Sequence, residues 1–384
     1  MFRRWFSTAS LSLLGSLFFI SPTLLTVRTV AQERAIKTRQ SHEQRSSTRV
    51  QENSEEVVRV NTRVVFVDVL VKDKRTGARV TDLTRDNFEI LADGKRRTIS
   101  YFSREGDVRD RPLALVLVLD LRPSGAGRFL RRPEFAESLS RALAKLPPED
   151  EVAVMATCID GIFGKRAWLT KLTRDRAKVA AALATVPNLV GPYPIAPTAD
   201  MKDVDDQEMK GVVREITRSV TSERPNSQAV MVYVSDDLNT SDLLFTEERN
   251  KVSAQLIQNN VIFSALTYKR LKIVQAAVVT LTPLAILGGG SFTGNARHFA
   301  KQTGGEAIDV RSPEEYAAGL ERIVGDLAAR YTLGFTLGED EADDGRMHRL
   351  EVKVKARDAR GKERKLIVYA RRGYYVPKAT APMK

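Results

Sequence analysis

The 384 residues include only one cysteine, three histidines and two tryptophans. The lone cysteine, Cys158, excludes an intramolecular disulfide framework. His42, His298 and His348 fall in a polar linker, a helix start and a hairpin, with no metal-ligand spacing among them. No Ser-His-Asp or Cys-His arrangement can be assembled from spacing. The glycine-rich run Gly288 to Gly294 has no lysine where a phosphate-binding loop requires one, so it reads as a flexible loop. Cys158 ends an apolar segment and reads as a small core residue rather than a nucleophile. These absences leave no catalytic constellation to name, and the chain is expected not to be an enzyme.

The composition is 42% hydrophobic and 28% charged, that of an ordinary globular protein. The first thirty residues depart from it. Arg3 and Arg4 precede an apolar stretch from Leu11 to Leu25, and small residues follow at Thr29-Val30-Ala31. A basic start, a short apolar run and a small-residue exit describe a secretory signal peptide, and the run is short for a membrane span. No cysteine near that exit offers a lipid attachment point. The expected location is therefore secreted or periplasmic, with no integral membrane segment after cleavage. The formal charge is +13; Arg3, Arg4 and Arg28 carry three of those charges within a leader that has no acid, leaving +10. The basic residues are scattered and form no aromatic-interleaved motif, so nucleic acid is not expected as a partner. A protein or another extracytoplasmic macromolecule is expected, anionic ones included.

Along the chain, residues 32–56 are polar and charged, a disordered linker. Val64 to Val71 is a strong strand signal, followed by strand-sized pieces at Val80–Leu83, Phe88–Leu91 and Ile99–Phe102. This N-terminal β unit is too small to hold a core alone. From Pro112 strands and helices alternate. Leu113 to Asp120 and Gln228 to Asp236 are nearly continuous apolar runs, each ending in a carboxylate, as strands buried on both faces of a parallel sheet would be. Helices are expected over Phe129–Leu146, Asp175–Val186, Val204–Val220, Thr246–Asn260, Asn295–Thr303 and Pro313–Arg330, with strands at Glu151–Cys158, Val261–Thr267 and Ala307–Val310. Ile273 to Leu287 is unusually apolar, either an inserted covering element or a partner-binding patch. After Arg330 the pattern returns to strands at Tyr331–Leu337, Arg349–Ala356 and Lys365–Tyr369.

The alternation predicts a doubly wound, mostly parallel α/β sheet flanked by helices. A smaller all-β unit from the N- and C-terminal segments would lie beside it. Ligands of such sheets bind beyond the carboxyl ends of the strands, where strand order reverses. Asp120 and Asp236 both fall at that edge. The expected organisation is a signal peptide over 1–31, linker over 32–56, N-terminal β unit over 57–107, α/β domain over 108–330, and C-terminal strands over 331–378 packed with the N-terminal unit.

Three stretches carry a resemblance: Val67 to Leu91 with Asp93-Gly94-Lys95; Leu115 to Asp120; and Thr303-Gly304-Gly305 through Tyr331-Thr332-Leu333-Gly334-Phe335, closing on Arg372-Gly373-Tyr374-Tyr375. In that order they resemble the acidobacterial VWFA-related family, a branch of the von Willebrand factor A superfamily, over almost everything after the linker. The resemblance implies a Rossmann-like domain with a metal-ion-dependent adhesion site: Asp-x-Ser-x-Ser after the first strand, a threonine from a later loop and an aspartate after the middle strand. Here the first element reads Asp120-Leu121-Arg122-Pro123-Ser124, with Arg122 in place of the first serine. Asp236 matches the later aspartate, Asp237 stands where glycine is usual, and Thr198 is a candidate for the threonine.

A guanidinium has no acceptor lone pair and cannot ligate a cation, whereas its fork suits carboxylates. Either Arg122 fills the cation's place and neutralises the acids, so that no cofactor is needed, or it swings outward and Asp120, Ser124 and Asp236 retain Mg²⁺. The functional expectation is an exported interaction or adhesion-type protein with a degenerate metal site. A cell-envelope scaffold with a silent sheet edge, and a hydrolase with an unrecognised site, are the alternatives.

Overall fold

The computed structural model describes residues 63–104, 111–122, 126–162, 164–191, 201–235, 246–268, 295–338, 341 and 344–376, all within one compact unit, Arg59–Lys384. The leader, the linker, Ser124, Thr198, Asp236, Asp237 and the segment 273–294 lie outside the described residues. Among the described residues, no helix is long and apolar enough to cross a membrane.

The apolar run Leu113–Asp120 forms β5, buried along its whole length at the centre of a six-stranded sheet. Its odd-numbered leucines, Leu113 to Leu119, face one core, and Ala114, Val116 and Val118 face another. The period-two alternation of a strand thus feeds two apolar layers at once. β6 (Glu151–Thr157), β8 (Gln228–Ser235), β9 (Ile262–Tyr268) and β10 (Ala307–Val310) join β5 in parallel, and β7 (Ala167–Thr173) pairs antiparallel at the edge. The strand order is β10-β9-β8-β5-β6-β7. The chain leaves β5 to one side, then returns to place β8 on the other. Strand order therefore reverses between β5 and β8.

Helices cover both faces. α2 (Pro133–Ala144), α3 (Arg176–Ala184) and α7 (Pro313–Ala328) supply Phe135, Leu139, Leu183, Tyr316 and Leu320 to the first core. α4 (Met201–Glu223), α5 (Thr246–Gln258) and α6 (Asn295–Thr303) supply Val213, Ile216, Leu256 and Phe299 to the second. Each buried leucine-sized side chain contributes about 1.5–3 kcal/mol.

Where one helix is expected over Phe129–Leu146 there are two, because Pro133 disfavours the helical conformation of the residue before it. Arg132 is extended (φ −92°, ψ 123°), with a single turn α1 (Gly127–Leu130) before it and α2 starting on the proline. Edge strand β7 goes beyond the expected elements; its residues are only partly buried, so its hydrophobic signal is weak.

The chain termini build a β-sandwich. β1 (Val64–Asp73) lies between β11 (Tyr331–Thr336) and β13 (Leu366–Tyr369), with β4 (Tyr101–Ser103) completing one sheet. β2 (Phe88–Ala92), β3 (Lys95–Arg97), β12 (His348–Val354) and β14 (Gly373–Tyr374) form the other. Val67, Val69, Ile90, Leu333, Phe335 and Leu350 share one core between them. Val80–Leu83 is not a strand. The Tyr331 hydroxyl donates to Val80 O at 2.9 Å and accepts from Leu83 N at 3.0 Å, satisfying backbone groups that a strand neighbour would otherwise pair.

Lys72 of β1 ties the sandwich to the α/β layers. It is 2% exposed, and its ammonium lies 2.8 Å from Glu306 Oε2 and 2.6 Å from Asp326 Oδ2. Arg79 reaches the other Asp326 oxygen at 2.7 Å.

Candidate functional site

The two apolar strands that flank the reversal point end in polar groups that converge. Asp120 closes β5 and is 2% exposed. Ser235 closes β8, and Tyr233 precedes it by one pleat on the same face. The Ser235 hydroxyl donates to Asp120 Oδ2 at 3.0 Å, and so does the Tyr233 hydroxyl, also at 3.0 Å. Arg122, two residues beyond β5, folds back over the carboxylate. Its Nε lies 3.0 Å from Oδ1 and 2.8 Å from Oδ2, and its Nη2 also bonds Oδ2. The Arg122 backbone N–H donates to Oδ1 at 3.1 Å, and Nη2 reaches Ser235 Oγ at 3.3 Å.

Burial alone would push the Asp120 carboxyl upward, but the Arg122 charge, the Arg122 hydrogen bonds and Ser235 overcome it and hold it below the usual carboxylate range. Burial, reinforced by the Asp120 charge, raises Tyr233 well above an ordinary phenol, so it stays protonated and remains a donor. The group is an anion enclosed by donors.

Among the described residues, Asp120 is already paired with a cationic side chain. Both Asp120 oxygens already accept from Arg122, and a metal ion would have to displace a charged, bidentate donor. Among the described residues, no group of three or more His, Cys, Asp or Glu could hold a metal ion.

Around this pair the edge is shaped by an unusual loop after β6. Leu121 N donates to Thr157 O at 3.0 Å, locking the start of the Arg122 segment to β6. Cys158 (φ 55°) and Asp160 (φ 57°) then take left-handed conformations that side-chain-bearing residues seldom adopt. Cys158 is buried, and Ile162 at the turn is 54% exposed. Gly191 closes the loop from the other side: a Cβ there would lie 2.1 Å from the Asp160 carbonyl carbon, and its own carbonyl accepts from Arg131. Backbone strain held by surrounding contacts is a feature of binding and catalytic edges.

The histidines lie elsewhere. His348 stacks on Tyr374 and contacts Asp93 at 2.8 Å. His298 in α6 is half-buried; burial, then Arg249, Lys301 and Arg372, push its pKa down to about 4. Of the site residues named from sequence, Asp120 and Arg122 are brought together. Tyr233 and Ser235 are additions, signalled only by being the polar members of an apolar strand.

No protein-family model matches the chain, and no curated protein does. Among solved structures it is similar to the conserved hypothetical protein BatB of Bacteroides thetaiotaomicron (14% identity, 56% of this chain and 98% of that one, TM-score 0.35). It is also similar to a von Willebrand factor type A protein from Catenulispora acidiphila (11% identity, 81% and 74%, TM-score 0.40). A third likeness is to the human COPII-coat protein Sec24c (10% identity, 71% and 44%, TM-score 0.39). The doubly wound character of the sheet stands on the chain's own strand order, with Asp120 at its point of reversal.

Proposed function

We propose that the chain is an exported, non-enzymatic binding protein that captures a protein or another extracytoplasmic macromolecule on the carboxyl edge of its α/β sheet, without a metal ion. The observation that carries this reading is the Arg122–Asp120 pair at the reversal point. Arg122 supplies internally the positive charge that a cation would otherwise bring to Asp120, so the edge needs no metal to be electrostatically complete. The exposed Ile162, in the loop that follows β6, gives that edge an apolar contact of the kind binding surfaces use.

The test is thermal unfolding of the full chain in EDTA and then in millimolar Mg²⁺ or Mn²⁺. A ligand of the folded state raises the midpoint. The expected result is no shift for the wild type and a rise for Arg122→Ser, which restores a hydroxyl and frees Asp120. A rise of several degrees in the wild type would overturn the metal-free reading. Export is checked separately by N-terminal sequencing of protein recovered outside the cytoplasm: loss of residues 1–31 supports it, and retention of Met1 opposes it.

A further inference from the structure

A chain with one cysteine has no internal disulfide to fasten its sandwich to its α/β sheet. The two are joined instead through the buried group around Lys72, whose members come from distant parts of the sequence. Lys72 lies near the end of β1, Glu306 just before β10, and Asp326 in the last turn of α7. Lys72 Nζ is 2.6 Å from Asp326 Oδ2 and 2.8 Å from Glu306 Oε2. The three side chains are 3%, 5% and 10% exposed in the order Lys72, Asp326, Glu306. Glu306 also hydrogen-bonds Asp326, and the Tyr369 ring lies 5.5 Å from the ammonium.

We propose that Lys72 and Asp326 condense to an intramolecular isopeptide bond, with Glu306 as the acid–base group. An amine and a carboxyl group are held in contact here, away from water. Such positioning is equivalent to an effective concentration of about 10⁵–10⁸ M, which lets an amide form against solvent water. Burial raises the Asp326 carboxyl, but hydrogen bonds from Lys72 and Arg79 hold it below the usual carboxylate range, so the pair starts as ammonium and carboxylate.

The proton between Nζ and Oδ2 first passes to the carboxylate, and the freed amine attacks Asp326 Cγ. Negative charge then develops on Oδ1, where Arg79 Nε already donates at 2.7 Å. Glu306, within hydrogen-bond reach of Nζ, takes a proton from the nitrogen and delivers it to Oδ2. The Nζ–Cγ bond has formed, the Cγ–Oδ2 bond breaks, and one water leaves. Ammonium and carboxylate become amide and water, no oxidant is needed, and Glu306 ends as it began. One buried cation and one buried anion disappear together, which relieves their desolvation and leaves Glu306 paired with Arg322. The product ties β1 to α7 covalently across 254 positions of sequence.

The test is the intact mass of the denatured full chain, followed by a tryptic map. The expected mass is lower than that of the sequence by one water. The map should contain Val64–Lys74 joined to Ile323–Arg330, uncut after Lys72. Lys72→Met and Asp326→Ala should restore the full mass, and Glu306→Gln should leave most of the chain unlinked. The wild-type mass needs no variant to fold. A wild-type chain of full mass with cleavage after Lys72 would overturn the proposal, and a bond that forms as completely in Glu306→Gln would overturn the role given to Glu306.

Discussion

Replacing Arg122 by methionine keeps most of the side-chain volume and removes the charge that faces Asp120. The carboxylate would retain Tyr233, Ser235 and the backbone N–H of residue 122, but not the guanidinium. At 2% exposure it cannot recover that loss from water. Breaking a buried ion pair from one side costs about 3–5 kcal/mol, because the surviving charge is left uncompensated. The pH dependence carries the sharper signature. In the wild type Asp120 sits below its unfolded value of about 3.9, so its stabilising contribution is full above that value and fades as pH falls through the folded pKa. In Arg122→Met burial is no longer opposed by the guanidinium, and the folded pKa moves above the unfolded one. The folded variant then favours the protonated acid, and its penalty is largest near pH 7–8 and shrinks toward pH 4. Urea unfolding at pH 4.5 and pH 7.5 measures both numbers, and Asp120→Asn combined with Arg122→Met should be less destabilised than Arg122→Met alone. A loss under about 1 kcal/mol at pH 7.5, or one independent of pH, would refute the account of Arg122 as the counter-ion of a buried carboxylate.

Two other perturbations address the junction with the sandwich and the loop after β6. Lys72→Met removes the ammonium shared by Glu306 and Asp326 in a setting where all three side chains are at most 10% exposed; urea unfolding should show a loss of about 3–5 kcal/mol, and an unchanged midpoint would mean that Arg79 and Arg322 suffice. Gly191→Ala places a methyl 2.1 Å from the Asp160 carbonyl carbon, so the 158–161 loop must shift; a loss of about 1–3 kcal/mol by thermal unfolding is expected, and none would show that the loop is free to yield.

The fold was legible because its strongest elements carry one-dimensional signals. Leu113–Asp120 can be nothing but a strand buried on both faces: eight residues, apolar to the last, too short for a helix of that burial and followed by turn residues. The alternation after Pro112 and the return to strands after Arg330 then gave the doubly wound sheet and a β unit drawn from both chain ends. What failed to show was decided by neighbours. Val80 and Leu83 are buried as strand residues would be, yet their backbone is satisfied by the hydroxyl of Tyr331, about 250 positions away. Edge strand β7 buries too little to print an alternation. The break before Pro133 was readable in principle, since it needs only the residue that follows Arg132.

The site divides along the same line. That an arginine two residues after a strand-terminal aspartate cannot ligate a cation follows from the inventory of its donors, and the departure from Asp-x-Ser-x-Ser locates it. That Tyr233 and Ser235 share the Asp120 carboxylate does not follow, because it depends on β8 lying parallel to β5 with Leu119 opposite Val234. Shift that register by one residue and both hydroxyls move to the other face of the sheet. The donors that enclose Asp120 are therefore a consequence of which strand returns beside β5. The reversal of strand order brings these donors together, and Arg122 supplies the charge that balances the buried carboxylate.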